Sequence, residues 1–294
     1  MNSRVVSKLA MLLVASAASC ASADSFYWTG SVSTQWFVAN NWVNQSQGGI
    51  PGIPGPGDSA NLAYASVQIN GNATVGQIYG YGVVIVDGSL TSGSASNCSI
   101  VLNAGVLNVP VMNAVSLTLN GGDVAGQPEL VSCVVSLSSP GHLDLLLTGT
   151  NTMYGNVRVG QQLTARAVGA SNALLYFPGQ LTNSGTIVLE GNGAGESRLR
   201  CDYTITNIGG IEFQAQTGVL QAVLDNYGAV SITGATTFAS YGATYRNVGT
   251  FSIAPGGWLQ TFGNAQTFSQ DAGTFAGAQR TTFSSMGVRY SGGA

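Results

Sequence analysis

Charge is scarce in this chain, at 7% of 294 residues, where an ordinary soluble domain has about 25%. There is a single lysine, Lys8, and a single histidine, His142. Beyond residue 23 the bases are seven arginines against twelve acids, so no basic patch is available for nucleic acid or an anionic membrane. Long apolar runs are also missing after residue 23, which excludes a membrane-spanning helix in the mature chain. Apolar residues at i, i+3, i+4 spacing are lacking, which argues against a helical repeat. Cysteine is sparse: Cys98, Cys133 and Cys201 are far apart and have no His or Cys neighbours. Zinc is therefore not expected, no metal or cofactor is assigned, and the thiols read as small buried hydrophobes, one of them necessarily unpaired.

What is abundant is glycine, 41 residues, within a chain that is 45% hydrophobic. That balance opposes disorder and points to a core closed by turns. The glycines fall into a phrase of Asn, any residue, Gly, any residue, apolar, any residue, apolar. It begins at Asn183, Asn207, Asn226 and Asn247, with a degenerate fifth copy at Asp271, so the starts lie 24, 19, 21 and 24 residues apart. A period in this range is the signature of a solenoid.

Two apolar residues separated by one share a strand face. The inward column is then Ile187, Ile211, Val230, Phe251 and Phe275, with Leu189, Phe213, Ile232 and Ile253 beside it. The Asn and Gly are read as corner residues, Gly for its access to positive φ and Asn as an amide able to stack in a ladder. The expected fold is all-β, a right-handed parallel β-helix (β-solenoid) with an N-terminal aromatic capping segment; a β-sandwich is the competing arrangement. From about Leu62 to Leu147 a looser pattern places Asp87, Asn103 and Asn120 at turns of shorter coils, and 123–182 is read as the stretch where loops interrupt them.

Residues 1–23 read as a signal peptide: Arg4 and Lys8, then a short apolar centre, then Ala21-Ser22-Ala23 before Asp24. Lipoprotein processing at Cys20 is a weaker fit. The expected location is secreted or cell surface, with cleavage after Ala23. Residues 24–61 form a tryptophan-rich cap and Gly/Pro loop, and 62–294 a solenoid of roughly ten coils.

Within the cap, Trp28, Gly30, Trp36, Asn41, Trp42, Pro54, Gly55, Gly57 and Asp58 directly follow the leader. This run resembles the entry segment of bacterial secreted and surface β-helix proteins with autotransporter-associated β-strand repeats. The resemblance implies that the segment caps the first coil and that its tryptophans are structural. Large members of that family continue into a translocator barrel or sorting signal. This chain ends at Ser291-Gly292-Gly293-Ala294 with neither, so self-translocation is not carried over.

Candidate chemistry is confined to a few residues. Glu190, Glu196, Arg198, Arg200 and Asp202 form the dense charged cluster, and Glu212 in the next coil is placed to approach Glu190. Alternation puts Arg198, Arg200 and Asp202 on one face of a strand, with Leu199, Cys201 and Tyr203 on the other. Paired carboxylates about 5–9 Å apart are the apparatus of glycoside hydrolysis, and arginines beside acids suit a uronate. The alternative is a solvated face of paired charges. Trp28, Trp36 and Trp42 are the candidate glycan-binding residues, and Asn183, Asn207, Asn226, Asn247 and Asp271 the turn ladder. His142, beside Asp144, reads as a turn residue.

The function expected is an exported, non-enzymatic surface or extracellular-matrix structural or adhesion protein. The alternative is a carbohydrate-active β-helix enzyme, a lyase or glycoside hydrolase, or a carbohydrate-binding protein. Expected partners are extracellular glycans, surface or matrix proteins, and further copies through the C-terminal solenoid edge.

Overall fold

The computed structural model describes residues 23–138, 141–263, 266–277, 281–282 and 286–293. The leader, including Arg4, Lys8 and Cys20, lies outside these apart from Ala23, as do Pro140, Arg280 and Phe283.

Segments of four or five alternating residues cannot bury their apolar face alone, and each finds cover in the next copy. The chain is all-β, 60% strand and 2% helical, its parallel coils stacked into a β-solenoid of about 12 turns. In the first half Asn72 pairs with Ser89, Ser89 with Val106 and Val106 with Asp123, a rise of seventeen residues per turn. A second strand column joins Ser66–Ile69, Val83–Val86, Ser99–Leu102, Ser116–Leu119 and Val134–Leu137.

Much of the stretch read as interrupted by loops is strand, with short connections such as 156–160 and 168–172 between. Leu143–Gly155 runs for 13 residues, pairing with Gln161–Ala167 through its first part and with Ala173–Phe177 through its second. Its interior residues Leu143, Leu145, Leu147 and Met153 are buried, so the alternation continues through it. The turn lengthens here, from Leu143 opposite Gln161 to Gln162 opposite Thr186.

Beyond it the register follows the repeated phrase. Ile187, Ile211, Val230, Phe251 and Phe275 are successive partners, and the first four are buried. The wider turns are filled by aromatics: Phe238 lies 4.7 Å from Tyr245, and Phe251 lies 5.6 Å from Phe268 and 5.3 Å from Phe275 between ring centroids. Thr186, Gly210, Ala229, Thr250 and Thr274 form one column in this register.

The repeated glycines act differently from the expectation. Gly185, Gly209, Gly228 and Gly249 are not among the positive-φ residues, though Gly273 is, at 69°. A Cβ on Gly209 would sit 2.1 Å from Gly185 O, on Gly228 2.2 Å from Gly209 O and on Gly249 2.1 Å from Gly228 O. Glycine is required because consecutive turns touch backbone to backbone at this corner.

At the N-terminus Ser25–Trp28 runs parallel to Ser59–Asn61 and antiparallel to Trp42–Asn44, which in turn pairs with Ile50–Pro51. The loop between is folded on Asn41, whose Oδ1 accepts from Val32 N (3.0 Å) and Ser33 N (2.9 Å). Its Nδ2 donates to Ser33 Oγ (3.0 Å) and Gln35 O (2.9 Å). Asp58 closes the Gly/Pro turn by accepting from Gly55 N at 2.8 Å and holds the backbone before Ser25–Trp28 by accepting from Asp24 N at 2.9 Å.

Candidate functional site

The three tryptophans expected to bind glycans are buried, with 3%, 1% and 0% exposure for Trp28, Trp36 and Trp42. Their rings meet edge to face, Trp42 lying 4.7 Å from both others, and Trp42 Nε1 donates to Trp36 O at 2.9 Å. No ring face is left for a sugar, so the binding assignment is replaced by packing.

The Asn column is a continuous chain of side-chain amides, all buried. Asn183 Nδ2 donates to Asn207 Oδ1 (2.7 Å), Asn207 to Asn226 (2.7 Å) and Asn226 to Asn247 (2.6 Å). The fifth rung is Gln270 Oε1, 2.9 Å from Asn247 Nδ2, and not Asp271. Asn247 is opposite Gln270 while Thr250 is opposite Thr274, so one additional residue enters the corner and moves Asp271 outward. The carbonyls of these rungs also accept two backbone N–H groups each, as Asn207 O does from Tyr227 and Gly228. A looser, outer version joins Asp87, Asn103 and Asn120 at 3.0 Å per step.

The charged cluster divides between two sheets. Glu190, in Thr186–Gly191, pairs with Arg166 of the preceding turn. Glu212 lies opposite Val188, diagonal to Glu190, and accepts from Gln214 Nε2 at 2.7 Å. Glu196, Arg198, Arg200 and Asp202 lie in or beside Ser197–Asn207 on the other sheet. Glu196 pairs with Arg198 at 2.5 Å, and Arg200 with Asp202 at 3.0 Å. The Arg200 guanidinium also covers the Tyr176 ring at 4.8 Å, and the Tyr176 hydroxyl donates to Asp202. That hydrogen bond, followed by the Arg200 contact, holds the Asp202 carboxyl below its ordinary range. Tyr203, expected inside with Leu199 and Cys201, is 62% exposed, because the register slips between Arg200 and Thr204.

The charged faces are open. Arg166, Glu190, Asn192 and Gln214 border a groove of about 280 Å³, and Glu196, Arg198, Val219 and Phe262 another of about 370 Å³. His142 is exposed, and Asp144 accepts from Gln127 at 2.9 Å. The described cysteines are free and buried; burial pushes the Cys98 thiol up to about 12. Among the described residues, no group of three or more His, Cys, Asp or Glu gathers as metal ligands would, and no helix is long and apolar enough to cross a membrane.

Arg166 and Tyr176 were not singled out from the sequence. Arg166 precedes Glu190 by 24 residues, one repeat, and that offset was the available signal.

The fold and these faces define a parallel β-solenoid with outward ion pairs. Comparison with family models, curated proteins and solved structures returned no match, so the functional reading rests on this geometry.

Proposed function

We propose that this chain is an exported, non-enzymatic β-solenoid serving as a surface or extracellular-matrix structural or adhesion component. The observation that carries the reading is the state of the charged face. Each of its carboxylates is tied to an arginine, tyrosine or glutamine on an open sheet surface: Glu190–Arg166 and Asp202–Tyr176 join neighbouring turns, and Glu196–Arg198, Asp202–Arg200 and Glu212–Gln214 pair within one turn, an arrangement suited to a solvated structural face. A glycosidase acid needs an environment that raises its pKa, whereas Asp202 is shifted downward.

Export follows from the reading of residues 1–23. The kinship with autotransporter-associated β-strand repeat proteins is part of the same proposal, supported by the work each motif residue does: Gly30, at φ 59°, gives room to the Trp28 indole, and Asp58 ties the turn to Asp24. In this reading residues 24–61 cap the first coil, doubling the chain back so that the edge of Ser25–Trp28 is paired on both sides.

The mature chain from Asp24, incubated with neutral and acidic polysaccharides, is expected to release no reducing ends and no unsaturated uronate. Turnover that is abolished by Arg200→Ala would instead establish the lyase or hydrolase alternative.

A further inference from the structure

The corner that leads into the strand column of Ser66–Ile69, Val83–Val86, Ser99–Leu102, Ser116–Leu119 and Val134–Leu137 has a fixed minimum length. Ser89–Ser96 is followed by Ser99–Leu102, Val111–Asn113 by Ser116–Leu119, and Glu129–Val131 by Val134–Leu137, so two residues close each of these corners. The first of each pair is left-handed, Asn97, Ala114 and Ser132 at φ 52°, 52° and 54°, and the second, Cys98, Val115 or Cys133, is buried. In the first two turns the same corner is longer: residues 62–65 separate Ser59–Asn61 from Ser66–Ile69, and 80–82 separate Asn72–Tyr79 from Val83–Val86. The left-handed residue is kept, as Ala63 and Gly80, and the residue that follows it is tyrosine in both.

Tyr64 and Tyr81 are 84% and 69% exposed, and their rings stack at 5.4 Å with 14° between planes. The later corners show that the fold closes without them. They border an open groove of about 430 Å³ with Tyr27, Asn61, Tyr79 and Asn97. Asn61 Oδ1 accepts from Ala63 N at 2.9 Å. The Asn61 Nδ2, the Asn97 side chain and the four tyrosine hydroxyls make no hydrogen bond to protein among the described residues.

We propose that this corner is a binding site for a neutral glycan, with Tyr64 and Tyr81 as the stacking platform. The inference rests on the adhesion reading above and names its ligand. Aromatic faces attract the weakly positive C–H face of a pyranose, and unpaired amides and hydroxyls at the rim match its hydroxyl groups. Among the described residues, no charged side chain lines the groove. A nucleobase would also stack on tyrosine, but its phosphate backbone would meet no cation here. A uronate would lack one too, which is why the ligand is a neutral sugar.

The test is affinity electrophoresis of the mature chain through native gels containing hydroxyethylcellulose, xylan, galactomannan or laminarin. Retardation is expected in at least one gel, and Tyr64→Ala/Tyr81→Ala should weaken it by about tenfold or more with an unchanged melting temperature. Because both side chains project from residues the corner does not need, the double variant should fold; Trp258→Ala, elsewhere on the surface, should bind as the parent does. Equal retardation of the double variant would overturn the site and leave the adhesion reading standing. Absence of retardation in all four gels would overturn the ligand assignment. Cleavage of the embedded polysaccharide would overturn the non-enzymatic reading itself.

Discussion

A buried asparagine places four hydrogen-bonding valences in a region without water, and each must be met by protein. Asn207 meets three of them by accepting from Asn183 and donating to Asn226 Oδ1 and to Ala229 O at 3.0 Å. Replacing it with alanine would orphan the Asn226 oxygen and remove a side-chain partner of Asn183. We expect Asn207→Ala to cost about 3 kcal/mol in urea unfolding, from unsatisfied polar groups and the space left behind; a loss below about 1 kcal/mol would show that the ladder relaxes around the gap. Asn183 Oδ1 is already such an orphan, because Val157 stands opposite Asn183 in the turn below. The ladder thus begins at a defined residue.

At the scale of the strand and its corner, the inward apolar columns were legible because a period of two within each copy coincided with a period of about twenty between copies. The role of glycine was not: positive φ and close approach leave the same letter in a sequence, and the φ of Gly228 together with the approach of an added Cβ to the carbonyl of Gly209 separates them. Gly228→Ala should therefore cost about 2–3 kcal/mol by thermal unfolding, while Gly179→Ala, with nothing within 4 Å of the added carbon, should be close to neutral. Equal effects of the two would refute the backbone-contact explanation. The candidate site was less legible still. Trp28, Trp36 and Trp42 looked like a platform because proximity in sequence carries no information on burial. Tyr64 and Tyr81 escaped notice because their meaning lies in corner length, which becomes countable only when strand ends are known. Asp271 in place of Gln270 is the same error at one residue's scale.

For the whole molecule, stability in a solenoid is a sum of turns and their contacts with neighbours, so loss of one contact acts locally. Asp271 accepts from Ser269 Oγ (2.5 Å), Arg246 Nε (2.5 Å) and Ser291 Oγ (3.0 Å), joining the last turns. These bonds, Ser269 first, lower its pKa to about 2. A carboxyl depressed in the folded state stabilises fully above its unfolded value near 3.9, and that contribution is lost as pH falls toward 2. Between about pH 4 and pH 2, pepsin should cut the C-terminal turns before the central ones, and Asp271→Asn should remove the pH dependence of that cutting. Simultaneous cleavage throughout would count against turn-by-turn unfolding.

The amide ladder has a direction as well as a length. Its four side-chain bonds all run from donor below to acceptor above, so the amide dipoles add head to tail along the axis. The negative end is the unpaired oxygen of Asn183. The positive end is the Gln270 amide, whose neighbour in the chain is the carboxylate of Asp271. The interior of the turns from Asn183 to Gln270 is therefore electrically polar lengthwise, and the residue displaced from the ladder supplies a negative charge at its positive end.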